Sequence, residues 1–547
     1  MAGEQNVLSK AMRGMVMDFS SIGLIWPSRP PAERPGPLTI AAVLDDQLAR
    51  DPDQLVLVGR HGRYSASELD HAANQTAEAF LRFGIEAGDR VGVSLPNDAE
   101  VVVAFLGAMR IGAIFVGLNR TLAAPEKHYM LRDCQAKLFL GDPTMVEQII
   151  QARREMPDLG EVLTVEPSAP QEGWLGLRGE CSSEPPERVV DPLAPAALAY
   201  TSGTTGFPKG AVHTQHNLLL PGAVARWRAG GPTGEILGVP LPLTLLNLMV
   251  LGPLVAFQTG GRLVAIDQID SVGLAGWIEA EGVNTFAAVP AMVHDLLTNP
   301  EVGQHQLSSL TAIGVGGASM PDAFRTLYED RFGRRCGTGY GLTEAPTTVA
   351  QEDLEEEPIP GTCGKPLLQV RIEIRDERGD LCAPGSVGEV CIGPALSGPF
   401  EDVWRPMLGY WNRPEESAVA LRGGILHTGD LGELDEAGHL FIKDRKNDLI
   451  IRGGSNVYPA EVERVLHDDA RVAACAVVGR PDERLGERVV AFVQLSPDAS
   501  ECAEELRAHC QEQLARYKVP DEFFFVTSFD LTPMGKIRKG DLRDRLA

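Results

Sequence analysis

The sequence predicts an α/β protein with a large N-terminal domain of two doubly wound sheets and a small distorted β-barrel, followed by a small α+β domain. Three observations lead to this prediction. Short apolar strand patterns alternate with helical patterns over about 100 residues after position 38, and again from 261 onward. Alternating β patterns with Gly-rich turns occupy residues 360–443. A compact unit with two helical and three strand patterns follows from Arg445.

Local signals refine the elements of the first domain. Ser65 and Glu68 have the spacing of a capping box, so a helix is expected after Ser65, with Asp70 as a further acidic group near its N-terminus. Residues 236–257 contain no charged side chain, but their prolines predict a turn that enters a buried helix of about three turns, not a membrane span. Residues 165–195 are rich in Pro, Glu and Ser and are expected to form a surface connection.

The composition is that of a globular protein and limits its partners. The chain has 547 residues, 44% hydrophobic and 23% charged, which suffices for two or three domains. Its formal charge of −25 argues against a general binder of nucleic acids or anionic membranes, because those need a positive field over the contact face. The nine cysteines include no C-x-x-C pair, which fits a reducing compartment and no structural zinc. No signal-peptide core is found, so we expect a cytoplasmic protein.

The most informative stretch is YTSGTTGFPKG, which runs from Tyr200 to Gly210. Its glycines permit tight turns and close approach of the backbone to a ligand, while its hydroxyls and its lysine add polar contacts. Backbone N–H groups presented together with hydroxyls and a lysine form a phosphate cradle. The Walker pattern is not matched, because Pro208 precedes Lys209 and a glycine follows it. The flanking segments are not polar low-complexity sequence, which disfavours a flexible linker.

Four further stretches matter only if the fold brings them together with this loop. An aromatic in a glycine-rich turn is usually a packing residue, and a lysine near a C-terminus is usually solvated, so each stretch alone is a weak signal. They are GTGYGLTEA at 337–345, HTGDLG at 427–432, DRKNDLIIRGGSNVYPAEVE at 444–463 and PMGKIRK at 533–539.

In this order and spacing, the five motifs resemble the adenylate-forming superfamily of acyl-CoA synthetases, firefly-luciferase-like enzymes and adenylation domains of peptide synthetases. The resemblance extends from about residue 38 to the end of the chain. It implies that ATP and a carboxylate react to give an acyl-adenylate and pyrophosphate, and that a thiol then displaces AMP. This chemistry brings two anions together, so the site must neutralise charge that grows in the transition state.

The resemblance also implies roles for individual residues. Glu344 and Thr204 would ligate Mg²⁺, which prefers oxygen ligands. Tyr340 would stack on adenine, and Asp430 would accept hydrogen bonds from the ribose hydroxyls. Lys536 would bridge the substrate carboxylate and the α-phosphate. The expected catalytic residues are Lys536, Glu344, Thr204 and Lys209, and the other expected ATP contacts are Thr201, Ser202, Gly203, Thr205, Gly317, Ala318, Ser319, Gly339, Gly341, Thr343 and Arg445.

A hinge at Asp444 is expected to separate an acid- and ATP-binding domain, residues 1–443, from a lid domain, residues 444–547. By resemblance, a rotation there withdraws Lys536 and brings residues 446–456 to the site. Gly453 and Gly454 would then let the pantetheine arm of CoA pass close to the backbone. The alternative is that these glycines form an ordinary turn before a helix that begins at Pro459.

The expected acyl pocket contains only apolar or small segments. The resemblance places this pocket along residues 240–247, 286–291 and 313–320. None of these segments contains a carboxylate that could bind an ammonium group, which disfavours an amino acid as substrate. Many relatives have an aromatic–His pair where Pro242 and Leu243 stand, so a roomier apolar entrance is expected. The expected lining residues are Leu243, Asn247, Ala288, Val289 and Gly316.

Two further features lie close to the motifs. An apparent insertion occupies residues 396–406, and the sequence leaves open whether it covers the site or the surface. His213 and His216 follow the glycine-rich loop. We expect them to be structural, because a carboxylic acid is already ionised at neutral pH and adenylation requires no base to deprotonate it.

The sequence therefore predicts a ligase that uses ATP, Mg²⁺ and CoA to convert a hydrophobic monocarboxylic acid into acyl-CoA, AMP and pyrophosphate. Medium-chain aliphatic, alicyclic and simple aryl acids are left open, as is a homodimer. The nearest alternative is a ligase that loads the phosphopantetheine of a carrier protein. A luciferase-like oxidative second step is a third alternative within the fold. A non-catalytic nucleotide-binding regulator is disfavoured by the intact Lys536, Glu344 and Asp430.

Overall fold

The computed structural model describes residues 22–26, 31–201, 207–315, 322–333, 336–357, 359–376, 378–445, 450–496, 499–500, 502–530, 537 and 539–546. Within these ranges the strands form five β-sheets, two large and three smaller. None of the helices in the same ranges combines the length and the apolar character needed to cross a membrane. The architecture is the predicted one, with a large N-terminal domain and a small C-terminal domain.

Strands and helices alternate from residue 45 to residue 141, as predicted. The segment 165–195, expected to be a surface connection, instead contains the helix Gly173–Gly179, whose Trp174 is buried in the core against Phe80. The expected capping box is present, because the N–H of Glu68 donates to Ser65 Oγ and the N–H of Ser65 donates to the Glu68 carboxylate. Such a cap is worth about 1 kcal/mol, since it satisfies N–H groups that the first turn leaves unpaired. The elements are α1 (Asp45–Arg50), β1 (Leu55–Val58), β2 (Arg63–Ser65), α2 (Ala66–Arg82), β3 (Arg90–Ser94), α3 (Ala99–Ile111), β4 (Ile114–Gly117), α4 (Ala124–Asp133), β5 (Leu138–Gly141), α5 (Pro143–Gln151), β6 (Glu161–Thr164), α6 (Gly173–Gly179) and β7 (Pro195–Thr201).

The uncharged segment 236–257 forms a strand, a turn and a buried helix, which confirms the prediction. A π-helical turn at Val250–Leu254 contains Pro253 and joins two short α-helices, an arrangement that accommodates a ring without an N–H. The elements of this region are β8 (Lys209–Thr214), α7 (Gln215–Arg228), β9 (Ile236–Val239), α8 (Leu246–Met249), α9 (Val255–Gln258), β10 (Arg262–Ala265), α10 (Ser271–Glu281), β11 (Thr285–Ala288), α11 (Pro290–Thr298), β12 (Ala312–Val315) and α12 (Asp322–Phe332).

Short antiparallel strands dominate from residue 339 to residue 445, where the sequence predicts a small barrel. Four of them form a curled half-barrel in the order β16-β17-β19-β20, and three others pair as β13-β14-β15. The elements are β13 (Gly339–Leu342), β14 (Thr347–Gln351), β15 (Lys365–Pro366), β16 (Val370–Arg375), β17 (Gly388–Pro394), β18 (Gly409–Tyr410), α13 (Pro414–Ala420), β19 (Leu426–Leu434) and β20 (Leu440–Arg445).

The two large sheets are not built from successive halves of the chain. The first has the order β18-β8-β7-β4-β3-β5-β6, and the second has the order β12-β11-β9-β10-β1-β2. The sequence pattern suggests two successive sheets, but β1 pairs in parallel with β10, about 200 residues later in the numbering. Periodicity identifies a strand without identifying its partner, so this pairing was not predictable. Helix α3 joins the sheets, since its buried residues share one hydrophobic cluster with strands of both.

The C-terminal domain is a five-stranded sheet with helices on both faces. Side chains of β23 alternate: Cys475 and Val477 pack with helices α14 and α15, while Ala476 and Val478 pack on the opposite face with α16. The elements are β21 (Ile450–Arg452), β22 (Ser455–Val457), α14 (Pro459–His467), β23 (Val472–Asp482), β24 (Gly486–Leu495), α15 (Ala503–Gln513), β25 (Glu522–Phe525) and α16 (Lys539–Asp544).

The insertion at 396–406 begins with an exposed stretch, residues 396–399, and then packs residues 400 and 403–405 into the interior of the large domain. Phe400 and Trp404 are buried in the hydrophobic cluster that also contains residues of α7. His216 Nε2 lies 2.9 Å from the carbonyl oxygen of Val403, and Asn217 Nδ2 donates to the carbonyl oxygen of Pro406 at 3.0 Å. The insertion therefore supports the helix that follows β8.

Candidate active site

The glycine-rich loop joins two antiparallel strands. Thr201 at the end of β7 is paired with Lys209 at the start of β8, so the two residues stand opposite each other at the base of the loop. The intervening Ser202, Gly203, Thr204 and Thr205 lie outside the described residues. The hairpin therefore fixes both ends of the predicted phosphate cradle.

Lys209 is held against polar and aromatic groups at this base. Its side chain is 12% exposed, and Nζ lies 3.9 Å from Glu416 Oε1 and 5.4 Å from the centre of the Tyr410 ring. Burial lowers the pKa of Lys209, while the charge of Glu416 acts in the opposite direction. A cation held in a partly desolvated position interacts strongly with an incoming anion.

Glu344 reaches the same place from the turn after β13. Its Oε1 accepts a hydrogen bond from the Tyr410 hydroxyl at 2.9 Å and a longer one from the Thr201 hydroxyl at 3.5 Å. Burial, together with the charge of Glu344, raises the pKa of Tyr410 well above its ordinary value, so this hydroxyl remains a donor. The carboxylate is therefore oriented beside the loop, and its oxygens are the ligand type that Mg²⁺ prefers.

Tyr340 and Asp430 meet across two different sheets. The Tyr340 hydroxyl donates to the Asp430 carboxylate, whose residue is 1% exposed in the middle of β19. Asp430 is also the ladder partner of Arg445 on β20. Gly339 and Gly341 flank Tyr340 on β13 and are exposed, while Thr343 lies just beyond that strand. The predicted adenine and ribose residues therefore lie together.

The two histidines after the loop are structural, as expected. His213 Nε2 lies 2.8 Å from the carbonyl oxygen of Thr343, and His216 contacts the insertion. Burial lowers the pKa of each histidine to about 4. Neutral imidazoles that hydrogen-bond to main-chain carbonyls hold the loop hairpin against the Tyr340 turn and the insertion.

The predicted acyl-pocket residues fall into two groups. Leu243 and Ala288 are buried in hydrophobic clusters, whereas Asn247 and Val289 are partly exposed. Gly316, together with the predicted nucleotide contacts Gly317, Ala318 and Ser319, lies outside the described residues.

Gly453 and Gly454 form the two-residue turn between β21 and β22. Both have positive φ angles, +57° and +79°, which suit a tight hairpin and favour glycine. A Cβ on Gly454 would lie 2.1 Å from Val289 Cγ1. The turn is therefore an ordinary hairpin in its local geometry, and it also contacts a predicted acyl-pocket residue of the other domain.

Lys536 lies outside the described residues, but its neighbour Ile537 is described. Ile537 packs with Ala476 and Val478, on the face of the small sheet opposite to α14. Helix α14 faces the large domain, because the Arg464 guanidinium lies 4.4 Å from the centre of the Phe207 ring. Asp444 lies within β20, paired with Leu431, and the side chains of Asp444 and Arg445 are not described.

Sequence reasoning missed the residues that connect these motifs. Tyr410 and Glu416 contact Glu344 and Lys209, yet neither has a spacing that marks it. Tyr410 belongs to the short strand β18, which pairs with β8 beside the loop. An aromatic in the segment LGYWNRPEES was the only sequence signal available.

One cluster within the described ranges has the composition of a metal site. Cys391 Sγ lies 3.2 Å from His427 Nδ1, which in turn lies 3.2 Å from Glu389 Oε2. The guanidinium of Arg422 donates to the same Glu389 oxygen at 2.7 Å, and burial raises the pKa of Cys391 to about 12. The Arg422 guanidinium already occupies the Glu389 carboxylate, and the Cys391 thiol is protonated. Both facts favour a hydrogen-bonded packing cluster over a metal site on the paired strands β17 and β19.

Two family models match the chain. The model described as AMP-binding enzyme matches residues 44–411, and the model described as AMP-binding enzyme C-terminal domain matches residues 461–536. The chain therefore belongs to the AMP-binding enzymes, the adenylate-forming superfamily that the motifs indicate.

Curated relatives narrow this class. A long-chain-fatty-acid–CoA ligase, FadD13 of Mycobacterium tuberculosis, is 32% identical over 498 residues, covering 88% of this chain and 93% of its own. A fatty acid–[acyl-carrier-protein] ligase, ScoC of Streptomyces coeruleorubidus, is 32% identical over 505 residues, covering 87% and 91%. Within the superfamily, this chain is an acid–thiol ligase of the AMP-forming acyl-CoA synthetase type.

Solved structures of similar proteins carry different ligands. The o-succinylbenzoate CoA synthetase MenE from Bacillus subtilis, bound to a product analogue OSB-NCoA, matches with a TM-score of 0.80 at 28% identity, covering 92% of this chain and 98% of its own. The anthranilate CoA ligase AuaEII in complex with anthranoyl-AMP matches with a TM-score of 0.69 at 25% identity, covering 93% and 98%. At nearly equal coverage, the TM-score is higher for the MenE complex than for the AuaEII complex.

Proposed function

We propose that this chain converts a hydrophobic monocarboxylic acid into its CoA thioester in two steps at one site. A carboxylate oxygen first attacks the α-phosphorus of ATP, which forms the acyl-adenylate and releases pyrophosphate. The CoA thiol then attacks the acyl carbon, loses its proton and expels AMP. The observation that carries the proposal is the close approach of Gly454 to Val289, because the glycine turn of one domain then lies against a residue of the other domain that is predicted to line the acyl pocket.

The first step depends on positive charge around the phosphates. Lys209 and the N–H groups of the loop would hold the β- and γ-phosphates, and Lys536 would bridge the acid and the α-phosphate. Mg²⁺ would be held by Glu344 and Thr204, and it would supply further neutralisation of phosphate charge. The position of Glu344 beside Thr201 fits this role, because a carboxylate oxygen there faces the base of the loop.

The nucleoside would lie against both Tyr340 and Asp430. The carboxylate of Asp430 can accept hydrogen bonds from two ribose hydroxyls, while the Tyr340 ring offers a stacking face to adenine. The Tyr340 hydroxyl already donates to Asp430, which orients that carboxylate before the nucleotide binds.

The second step would follow a rotation at Asp444, the boundary that we propose between the domains. The described arrangement supports the view that the C-terminal domain is already in the thiol-transfer orientation. Gly454 contacts Val289, whereas Ile537, next to Lys536, lies on the far face of the small sheet.

The acid is expected to be apolar. Leu243, Ala288 and Val289 offer hydrocarbon, and the predicted pocket segments contain no carboxylate that could bind an amino group. Medium-chain, alicyclic and simple aryl acids all satisfy this description.

A pyrophosphate-release screen over such acids tests the proposal. Wild-type protein is expected to release pyrophosphate with at least one apolar acid and with none of a matched set of amino acids. Mass spectrometry should then detect the acyl-CoA when CoA is added. Absence of pyrophosphate release with every acid would favour the non-catalytic regulator, and oxidation of the adenylate without thioester would favour the luciferase-like fate.

A carrier protein is the second candidate acceptor, favoured by the similarity to ScoC. The same adenylate can be offered free CoA or a holo-carrier protein in parallel reactions. If the holo-carrier protein reacts faster than free CoA, the carrier protein is the acceptor in the second step, and the proposed adenylation step is unchanged.

A further inference from the structure

A buried ion cluster connects the two domains. Lys518, in the short 3-10 turn Arg516–Lys518 of the small domain, contacts Glu461 of α14 and Glu126 of α4. Its Nζ lies 2.9 Å from Glu461 Oε1 and 2.5 Å from Glu126 Oε1. The three side chains are between 2% and 4% exposed. Glu126 is the only one of the three that belongs to the large domain.

The Glu126 carboxylate accepts hydrogen bonds from both domains. Its Oε2 accepts from the N–H of Ala123, as a helix cap within the large domain, and from the N–H of Ala515 in the small domain, both at 2.8 Å. Its Oε1 faces Lys518. A buried carboxylate with three donors is well satisfied, and two of these donors exist only when the domains are docked in this orientation.

The charges of the cluster depend on this docking. Burial raises the pKa of Glu461, an effect that Lys518 opposes and Glu126 reinforces. Burial acts to lower the pKa of Lys518, but the attraction of Glu461, Tyr517 and Glu126 raises it above its ordinary value, so the ammonium remains charged. Removal of one partner from such a buried pair is costly, because it leaves a charge without compensation.

The Lys518 contacts respond differently to a domain rotation. Glu461 moves with Lys518 because both belong to the small domain, whereas Glu126 stays behind. The contact with Glu126 is therefore specific to one orientation. In that same orientation, Gly454 contacts Val289 and Arg464 lies over Phe207.

We propose that Glu126 is a positioning residue that latches the small domain in the thiol-transfer orientation through Lys518 and the N–H of Ala515. This inference rests on the proposed function, since it assigns the latch to the second of the two steps. Glu126 touches neither substrate nor nucleotide in this proposal. It stabilises the arrangement in which the glycine turn reaches the acyl pocket.

The variant Glu126→Gln tests the latch with little change in volume. A glutamine has one acceptor oxygen and one NH₂ donor, so it can keep the Ala123 and Ala515 bonds only by directing its NH₂ at the Lys518 ammonium, which cannot accept a hydrogen bond. The matched control is Glu68→Gln, because Glu68 caps α2 from the same helix position and has no partner from the small domain among its described contacts.

The first measurement separates the half-reactions. We expect Glu126→Gln to form acyl-adenylate at a rate within about twofold of wild type and to transfer the acyl group from purified acyl-adenylate to CoA about 10- to 100-fold more slowly. Glu68→Gln should match wild type in both steps. Equal slowing of both steps, or an unchanged transfer rate, overturns the proposal.

The second measurement requires no substrate. Hydrogen exchange of residues 514–519 should become faster in Glu126→Gln than in wild type, because the N–H of Ala515 loses its cross-domain acceptor geometry. Unchanged exchange there overturns the latch whatever the enzyme activates. Faster exchange in a protein that activates no acid keeps the latch and removes the proposed function, so the two failures are distinguishable.

Discussion

The candidate nucleotide site and the seam between the domains are built in different ways. The candidate nucleotide site brings together Thr201, Lys209, Tyr340, Glu344 and Asp430, all from the large domain and all from recognisable motifs. The seam joins α4 to elements of the small domain through residues that belong to no motif, such as Glu126 and Lys518. Local sequence thus encodes the first site, whereas the second exists only in one arrangement of two domains. The first should govern adenylation and the second should govern thiol transfer.

Among the proposed variants, Lys536→Ala is expected to have the largest effect, and to affect adenylation much more than thiol transfer. Lys536 is the cation that we propose bridges the two reacting anions, so its removal should reduce adenylation by roughly 10²- to 10³-fold. Transfer from supplied acyl-adenylate to CoA should be affected far less. Pyrophosphate release and single-turnover transfer measure the two rates.

Lys539→Ala is the control for this variant, because Lys539 is a nearby cation whose Nζ lies 2.7 Å from Glu463 and which has no proposed catalytic role. Full adenylation by Lys536→Ala would show that the first step does not depend on that lysine.

Gly454→Ala tests the seam at the point where it meets the acyl pocket. The new Cβ would lie 2.1 Å from Val289 Cγ1, so docking in the thiol-transfer orientation should be hindered. We expect thiol transfer to slow by roughly 10- to 100-fold, with adenylation changed little.

Gly453→Ala is its matched control. Gly453 also has a positive φ angle, but a Cβ there would lie 3.6 Å from Leu485, an ordinary contact. Backbone strain alone would make the two variants equally slow, and that result would remove the steric explanation.

Tyr340→Phe should sharpen the assignment of the nucleoside pocket. It keeps the stacking face and removes the hydroxyl that donates to Asp430. One hydrogen bond to a charged group is worth about 1.5–3 kcal/mol, but this bond is already present before the nucleotide binds. Only its effect on the orientation of Asp430 should therefore be lost, and KM for ATP should rise about 3- to 10-fold. The KM for the acid should stay constant. A change confined to thiol transfer would contradict the division between the two regions.

The smallest effect on catalysis is expected at the structural histidines, where the readout is the pH dependence of stability. The pKa of His216 is lowered to about 4 in the folded protein from an ordinary 6.5. The unfolded state therefore binds more protons between these values, and the free energy of unfolding should fall as pH falls from 6.5 to 4, by up to about 1.4 kcal/mol per pH unit.

His216→Gln should flatten this dependence in denaturant titrations at pH 7, 6 and 5. His305→Gln is the control, because the His305 side chain is 74% exposed. An unchanged pH dependence in His216→Gln would mean that this imidazole is not held neutral by burial.

The fold class was predictable because its signals are local. The capping box at Ser65 and Glu68 and the turn before the buried helix at 246–258 each depend on neighbouring residues, and both predictions are confirmed. The sheet order was not predictable, because β1 finds its partner β10 through packing of distant segments. Tyr410 was missed for the same reason, since its role depends on the pairing of β18 with β8.

The candidate site was predictable only where a motif concentrates unusual residue types. The loop, Tyr340 and Asp430 stand in glycine-rich surroundings that ordinary elements do not need. Glu126 carries no such signal, because a glutamate in the first turn of a helix is common for purely local reasons. Its second role appears only when a residue 392 positions away is placed beside it.

Strand β20 links the proposed pivot to the ribose position. Asp444 and Arg445 are adjacent on it, and their ladder partners are Leu431 and Asp430. A paired strand is stiffer than a linker, so the proposed hinge and the carboxylate that would bind the ribose are held together by one sheet. A bound nucleotide would therefore keep a constant distance from the hinge while the C-terminal domain rotates.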